Sequence, residues 1–168
     1  MKCPACDAEN LPGEDLCASC GVSLTQQTEP RSDAHHSIVM DPISSLKPQP
    51  PKCLKASASA LDAIRIMRDE RCGSVFIIDD DGVLQGIFTE RDALHRVAGQ
   101  KDDLAALSLK EVMTPSPTAL PDDASIAYAL HLMSIHGFRH IPIIEEKGRP
   151  TGVMTYRRVV EYIGDLFG

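Results

Sequence analysis

The chain repeats itself. From Ile43 onward it aligns with its own continuation from Leu109 onward at a constant offset of 66 residues, without a gap. Ile43 and Leu46 match Leu109 and Val112; Ala58, Ser59, Ala63 and Met67 match Ala124, Ser125, Ala129 and Met133; Gly82, Gly86, Thr89 and Arg91 match Gly148, Gly152, Thr155 and Arg157. Between the pairs Pro51/Pro117 and Val97/Ile163, 12 of 47 are identical, and they cluster on glycines and apolar positions. Duplication explains that clustering. A unit of about 60 residues buries little surface alone, so the two copies must pack together. One corner departs from the frame: "GIFTERD" at 86–92 returns as "GVMTYRR" at 152–158, and Asp92 becomes Arg158.

Each copy reads β-α-β-β-α, an α+β fold. A short extended piece ("PKCL", "PTAL") precedes a helix whose apolar residues Leu61, Ile64 and Met67, or Leu130 and Met133, have helical spacing. Asp122 and Asp123 suit the second helix's N-cap. An apolar strand follows ("SVFII", "HIPII"), then a turn in which Gly82 or Gly148 is free to adopt positive φ. A second strand completes a hairpin, and a last helix starts at Thr89 or Thr155.

Two segments precede the repeats. Residues 1–24 hold four of the six cysteines, Cys3, Cys6, Cys17 and Cys20, as two C-x2-C pairs ten residues apart. Four thiolates so spaced suit tetrahedral zinc. So short a segment, with little apolar content, needs the metal for its folding energy. Two disulfides and four-thiolate iron are the alternatives. The segment resembles the short zinc ribbons that open many bacterial and archaeal proteins. Residues 25–42 are polar, without periodicity, and read as a flexible linker; its His35 and His36 read as a solvated pair, with adventitious metal binding the alternative. The first copy then spans 43–108 and the second 109–168. Cys53 and Cys72 lack metal spacing and read as small buried hydrophobes.

The formal net charge is −7. Lys2 stands against Asp7, Glu9, Glu14 and Asp15 in the cysteine segment, so no basic face is offered to nucleic acid. No apolar run approaches the ~18 residues of a membrane span, and "MKCPACDAEN" lacks an apolar signal core. A cytoplasmic protein is expected.

The duplicated unit closed by "GIFTERD", with "FRHIPII…GVMT" in the second copy and "VMTPSPTALPDDASIAYALHLM" between them, resembles a pair of cystathionine-β-synthase (CBS) domains, a Bateman module. The resemblance covers residues 43–168. It implies two motifs packed about a pseudo-two-fold axis, dimerisation through helices, and clefts that take adenosyl compounds such as AMP, ADP, ATP or S-adenosylmethionine. It implies ligand contacts from Gly86, Thr89, Arg91 and Asp92, phosphate contacts from Arg139 and His140, and an adenine contact from the Ile141 backbone. Physical chemistry leaves other roles open. Thr89-x-x-Asp92 is close to a capping box, and Arg139 and His140 suit a plain surface and strand. Arg157 and Arg158 can pair with carboxylates, face a partner, reach a phosphate or stay solvated; Arg158 cannot accept from a ribose.

No nucleophile elbow, P-loop or H-E-x-x-H occurs, and His95, His131 and His136 are scattered. The expectation is a non-catalytic sensor of an adenine nucleotide, homodimeric, whose zinc ribbon meets a protein partner. A ligand-free dimerisation module and a ribbon that binds nucleic acid are the alternatives.

Overall fold

In the computed structural model, residues 2–3, 5–11, 14–24, 40–99 and 103–167 are described. His35, His36 and most of the segment 25–42 lie outside them. The first copy opens with a single 3-10 turn, Ile43–Leu46. It continues through β1 (Cys53–Lys55), α1 (Ala60–Asp69), β2 (Ser74–Ile78), β3 (Leu84–Thr89) and α2, which starts as Glu90–Asp92 and runs on as a π turn, Ala93–Val97. The second copy opens with α3 (Leu109–Val112), then β4 (Thr114–Pro115), α4 (Ile126–His136), β5 (His140–Ile144), β6 (Pro150–Thr155) and α5 (Tyr156–Phe167). The first residues of the opening turns, first helices, both hairpin strands and last helices all differ by 66.

Local chemistry sets these elements. Ser59 and Ser125 cap α1 and α4, accepting from the N–H of Asp62 and Tyr128. The α4 cap is thus Ser125 and not Asp122 or Asp123, and it stands where the repeat places it. The buried stripe of α1 is Ala60, Ala63 and Met67, with Leu61 and Ile64 only half-buried, because alanines let the helix approach β2 closely. Gly82 and Gly148 adopt φ of 82° and 73°, the left-handed turns expected of them. The extended piece expected at 117–120 falls outside the named strands. The strand forms earlier, at Thr114–Pro115, where β3 supplies its partners.

Sheet order is β1-β2-β3-β4, with β1 parallel to β2 and the other pairs antiparallel; β5 and β6 form a separate two-stranded sheet. The chain divides into two compact units: Gln49–Ala119 with Pro142–Val153, and Met1–Pro48 with Leu120–Ile141 and Met154–Gly168. These units do not follow the sequence repeats. The opening turn of each copy belongs with the other copy's last helix. Leu109 and Val112 lie in one core with Ala60, Ala63, Met67, Val75, Ile77, Phe88 and Val97. The turn Ile43–Leu46 packs on α5. Phe76 and Ile87, on the opposite face of the first sheet, pack with Val153, and Cys53 joins them. Cys72 packs against the larger core, and burial pushes both the Cys53 and Cys72 thiols up.

Gly86 marks a close backbone approach. A Cβ there would stand 2.5 Å from Met113 Sδ and 3.1 Å from the Thr114 carbonyl oxygen. Its small size serves the pairing of β3 with β4. Gly86→Ala is expected to cost about 2 kcal/mol through overpacking. Gly99→Ala, whose cost is only a φ of 71° with nothing within 4 Å, should cost about 1 kcal/mol. Urea unfolding of the two variants checks this; equal losses would contradict it.

Candidate functional site

The two cysteine pairs fold alike. The N–H of Asp7 donates to the Cys3 carbonyl and the N–H of Gly21 to the Cys17 carbonyl, at 3.0 and 2.8 Å. Both residues take positive φ, 56° and 73°. Each turn thus presents two thiols on one side. Asn10 fastens the turns together: its side-chain N–H donates to the Ala8 carbonyl and its oxygen accepts from the Ala18 N–H. The sulfurs of Cys3 and Cys20 are 3.7 Å apart, as are those of Cys6 and Cys17, and all four lie within 4.8 Å of one another. Disulfides would need ~2.05 Å. Four sulfurs around a tetrahedral zinc at Zn–S ~2.3 Å stand about 3.8 Å apart, so the cluster fits that ion.

Its protonation agrees. Burial tends to raise the Cys17 thiol, but N–H groups of Cys20 and Ser19 and the Asn10 amide together bring it down to about 6. Burial raises Cys3 and Cys20, and neighbouring thiols push Cys20 up further. Cys17 is thus drawn toward the thiolate, while Cys3 and Cys20 are held toward the thiol. Metal loading at pH 7.5 should therefore release protons from Cys3 and Cys20 but none from Cys17, which lies above its titration already. Affinity should fall as acidification toward pH 6 protonates Cys17. Calorimetry in buffers of differing ionisation heat reads the protons released; zinc uptake without release would contradict this protonation pattern.

The Thr89 corner is a complete capping box. Thr89 Oγ1 accepts from the Asp92 N–H at 3.3 Å, and Asp92 Oδ2 accepts from the Thr89 N–H at 3.0 Å and its hydroxyl at 2.7 Å. Asp92 Oδ1 accepts from the Thr114 hydroxyl and pairs with Arg96 Nε, each at 3.4 Å. Asp92 is only 7% exposed. Arg96 Nη1 also donates to the carbonyls of Val112 and Met113, at 3.0 and 2.8 Å. Arg91, by contrast, is exposed.

At the second corner Thr155 accepts from the Arg158 N–H, so the cap survives. The Arg158 guanidinium donates from Nε and Nη2 to the Leu46 carbonyl and from Nη1 to Glu161. Leu46 is the repeat equivalent of Val112. Each copy thus ties an arginine of its last helix to the same carbonyl of the other copy's opening turn. The arginine comes from position 96 in one copy and from the position of Asp92 in the other. That relocation explains the reversed charge. The position equivalent to Arg96 is Tyr162, whose hydroxyl bonds Asp41.

Gly86, Thr89, Arg91 and Asp92 lie in one compact unit, and Arg139, His140 and Ile141 in the other. Arg139 is exposed, and its carbonyl accepts from the N–H of Tyr156; His140 is half-buried at the start of β5, and Ile141 is buried. Sequence reasoning missed Arg96, Asn10 and a cavity of about 300 Å³ lined by Pro51, Lys52, Glu70, Cys72, Ser74 and Phe76. Lys52 and Glu70 pair at 2.9 Å on its wall. Ser74 and Phe76 are the repeat equivalents of His140 and Pro142, so the offset was the available signal.

A duplicated βαββα chain with capped strand-to-helix corners and a four-thiol module defines a two-motif α+β fold with a small cysteine module attached. The CBS domain model matches residues 43–99 and 109–165, and the chain belongs to the CBS-domain family. Protein YlbB of Bacillus subtilis is 36% identical over 102 residues, 60% of this chain and 62% of that one, so this chain spans less than two thirds of its relative's length. The CBS domain pair of protein MJ0100, solved with 5′-methylthioadenosine and S-adenosyl-L-methionine, superposes with TM-score 0.67 at 20% identity, over 74% of this chain and 97% of that one. CBSX2, solved with AMP, gives 0.63 at 21%, over 76% and 98%. These two likenesses establish the fold.

Asp92→Ala removes a cap, an ion pair and the Thr114 hydrogen bond. It should lower stability by about 2 kcal/mol. Thr155→Ala removes a cap alone and should cost about 1 kcal/mol. Equal shifts in denaturant midpoint would contradict this division of roles.

Proposed function

We propose that the protein is a non-catalytic, cytoplasmic sensor of an adenine nucleotide of the AMP, ADP or ATP kind, and that Asp92 reads the ligand's ribose. The carrying observation is the buried Asp92 carboxylate, seated on a helix start, in a chain of this family. Two members of the fold, MJ0100 and CBSX2, were solved with adenosyl ligands. A carboxylate offers about four acceptor positions. Two are held closely by Thr89, and the two held at 3.4 Å, by Thr114 and Arg96, are the weaker ones. Ribose hydroxyls take those. Gly86, Thr89 and Arg91 are the other candidates on the ribose side, and the family resemblance names Arg139 and His140 as candidate phosphate contacts and the Ile141 backbone as a candidate adenine contact. Binding then shifts the protein only by its differential affinity for two arrangements.

The cysteine cluster holds structural zinc, and the reducing cytoplasm keeps its thiols available. Exposed Leu11 and Leu16 on that module offer apolar contacts to a protein partner, and its acidic residues disfavour nucleic acid. No described helix is long and apolar enough to cross a membrane. A groove of about 490 Å³, lined by Ile64, Met67, Leu94 and Leu104 together with the charged Arg68 and Glu90, carries Leu94 at 68% exposure. Val160, its repeat equivalent, is also exposed, beside Tyr156 one turn earlier. Matching apolar faces on both copies fit a second copy of the same chain.

Titration of AMP, ADP, ATP and S-adenosylmethionine by calorimetry tests the ligand reading. At least one nucleotide should bind below ~1 mM. Asp92→Asn keeps a capping side chain but weakens a charged acceptor, and should lose about tenfold or more in affinity. Heatless titrations would leave the runner-up, a ligand-free dimerisation module, which the apolar groove supports. Light scattering should show a dimer for the native chain and a monomer for Leu94→Glu; an unchanged mass would remove this face as the interface.

A further inference from the structure

Helix α4, "IAYALHLMSIH", is apolar nearly all round. Ile126, Ala129, Leu132 and Met133 are buried in the core. An apolar second side needs a second cover. The cysteine module supplies it. Ser125 Oγ donates to the Ala5 carbonyl at 2.7 Å. Tyr128 packs against the cluster of Cys3, Ala5, Cys17 and Leu24. His131 Nε2 hydrogen-bonds the Cys20 carbonyl. The three residues are spaced i, i+3 and i+6, which makes one stripe. They reach both turns of the module, since Ala5 belongs to the first and Cys20 to the second.

The first copy has no such stripe. Its equivalents are Ser59, Asp62 and Arg65, where Ser59 bonds Asp62 and the exposed Asp62–Arg65 pair stands at 3.9 Å. That surface is built for water. The duplication has therefore diverged at two of these three positions to receive the module. Beyond α4, Gly137 closes the helix with φ 69°, and the chain runs directly through Arg139 and His140 into β5.

We propose that the metal load of the four-cysteine module sets the rigidity of α4 and of the segment Gly137–Ile141 that follows it, so that the second copy is a metal-dependent element. The proposal rests on reading the cluster as a metal site. Among the module's described residues, the buried ones are few: Cys3, Ala5, Cys17, Leu24 and Asn10. Without an ion the four thiols gain nothing from proximity, the two turns open, and the Ala5 and Cys20 carbonyls leave their partners. Tyr128 then faces water. A ligand gripped by the segment after α4 would bind more weakly, because that segment must be ordered first.

Hydrogen exchange read by mass spectrometry on the full chain tests this, with zinc content measured on the same samples. Zinc-loaded protein should carry about one ion per chain. Removing it with EDTA should speed exchange about tenfold in peptides covering 126–141 and leave those covering 60–89 unchanged. His131→Ala should keep its zinc yet exchange roughly fivefold faster over 126–141. Zinc that binds and leaves with 126–141 unaltered would overturn the coupling while the metal reading stands. A chain that takes up no zinc would sink both.

Discussion

An arginine bound to the carbonyl that ends an opening turn holds each half of this protein closed. Arg96, from the first copy's last helix, grips Val112 in the second copy's opening turn; Arg158, from the second copy's last helix, grips Leu46 in the first copy's. The exchange is reciprocal. Each compact unit therefore contains sequence from both copies, and neither copy completes a core alone. A charged donor on a helix-terminal carbonyl is a strong tie. In the second copy it leads directly into the strand after the opening turn: Met113 lies against Gly86, and Thr114 reaches Asp92.

The same tie explains the asymmetry. Where the arginine comes from position 96, the first turn of the helix is free to carry an acid, and Asp92 completes a capping box and pairs with Arg96. Where the arginine comes from the first turn itself, the acid is lost, and Glu161 neutralises the guanidinium. One corner keeps a buried carboxylate. The other has spent its cation internally. Arg157 pairs with Glu161 on the exposed side of the helix, and Arg158 is shared between Glu161 and the Leu46 carbonyl.

Much of this was legible before any coordinates. The offset of 66 placed both hairpins and started both last helices at Thr89 and Thr155, because periodicity and turn glycines are local signals. The four cysteines announced their cluster by spacing alone. Partnership across distance was not legible. No local signal says that Arg96 reaches Val112, that Gly86 makes room for Met113, or that Tyr128 and His131 face the cysteine module. The last carried a hint: α4 is too apolar for a helix with one buried side. Asp122 and Asp123 looked like caps because acidic residues favour helix starts, but Ser125 holds the position that the repeat assigns, since Ser59 does so in the first copy.

We propose that duplication left one ribose-reading corner and converted the other into a structural tie. Binding stoichiometry tests this most directly. Equilibrium dialysis of radiolabelled AMP against the zinc-loaded chain should saturate at about one nucleotide per chain, and Asp92→Asn should abolish saturation over the same range. Saturation at two equivalent nucleotides per chain, or one that survives Asp92→Asn and vanishes in Arg158→Gln, would contradict it.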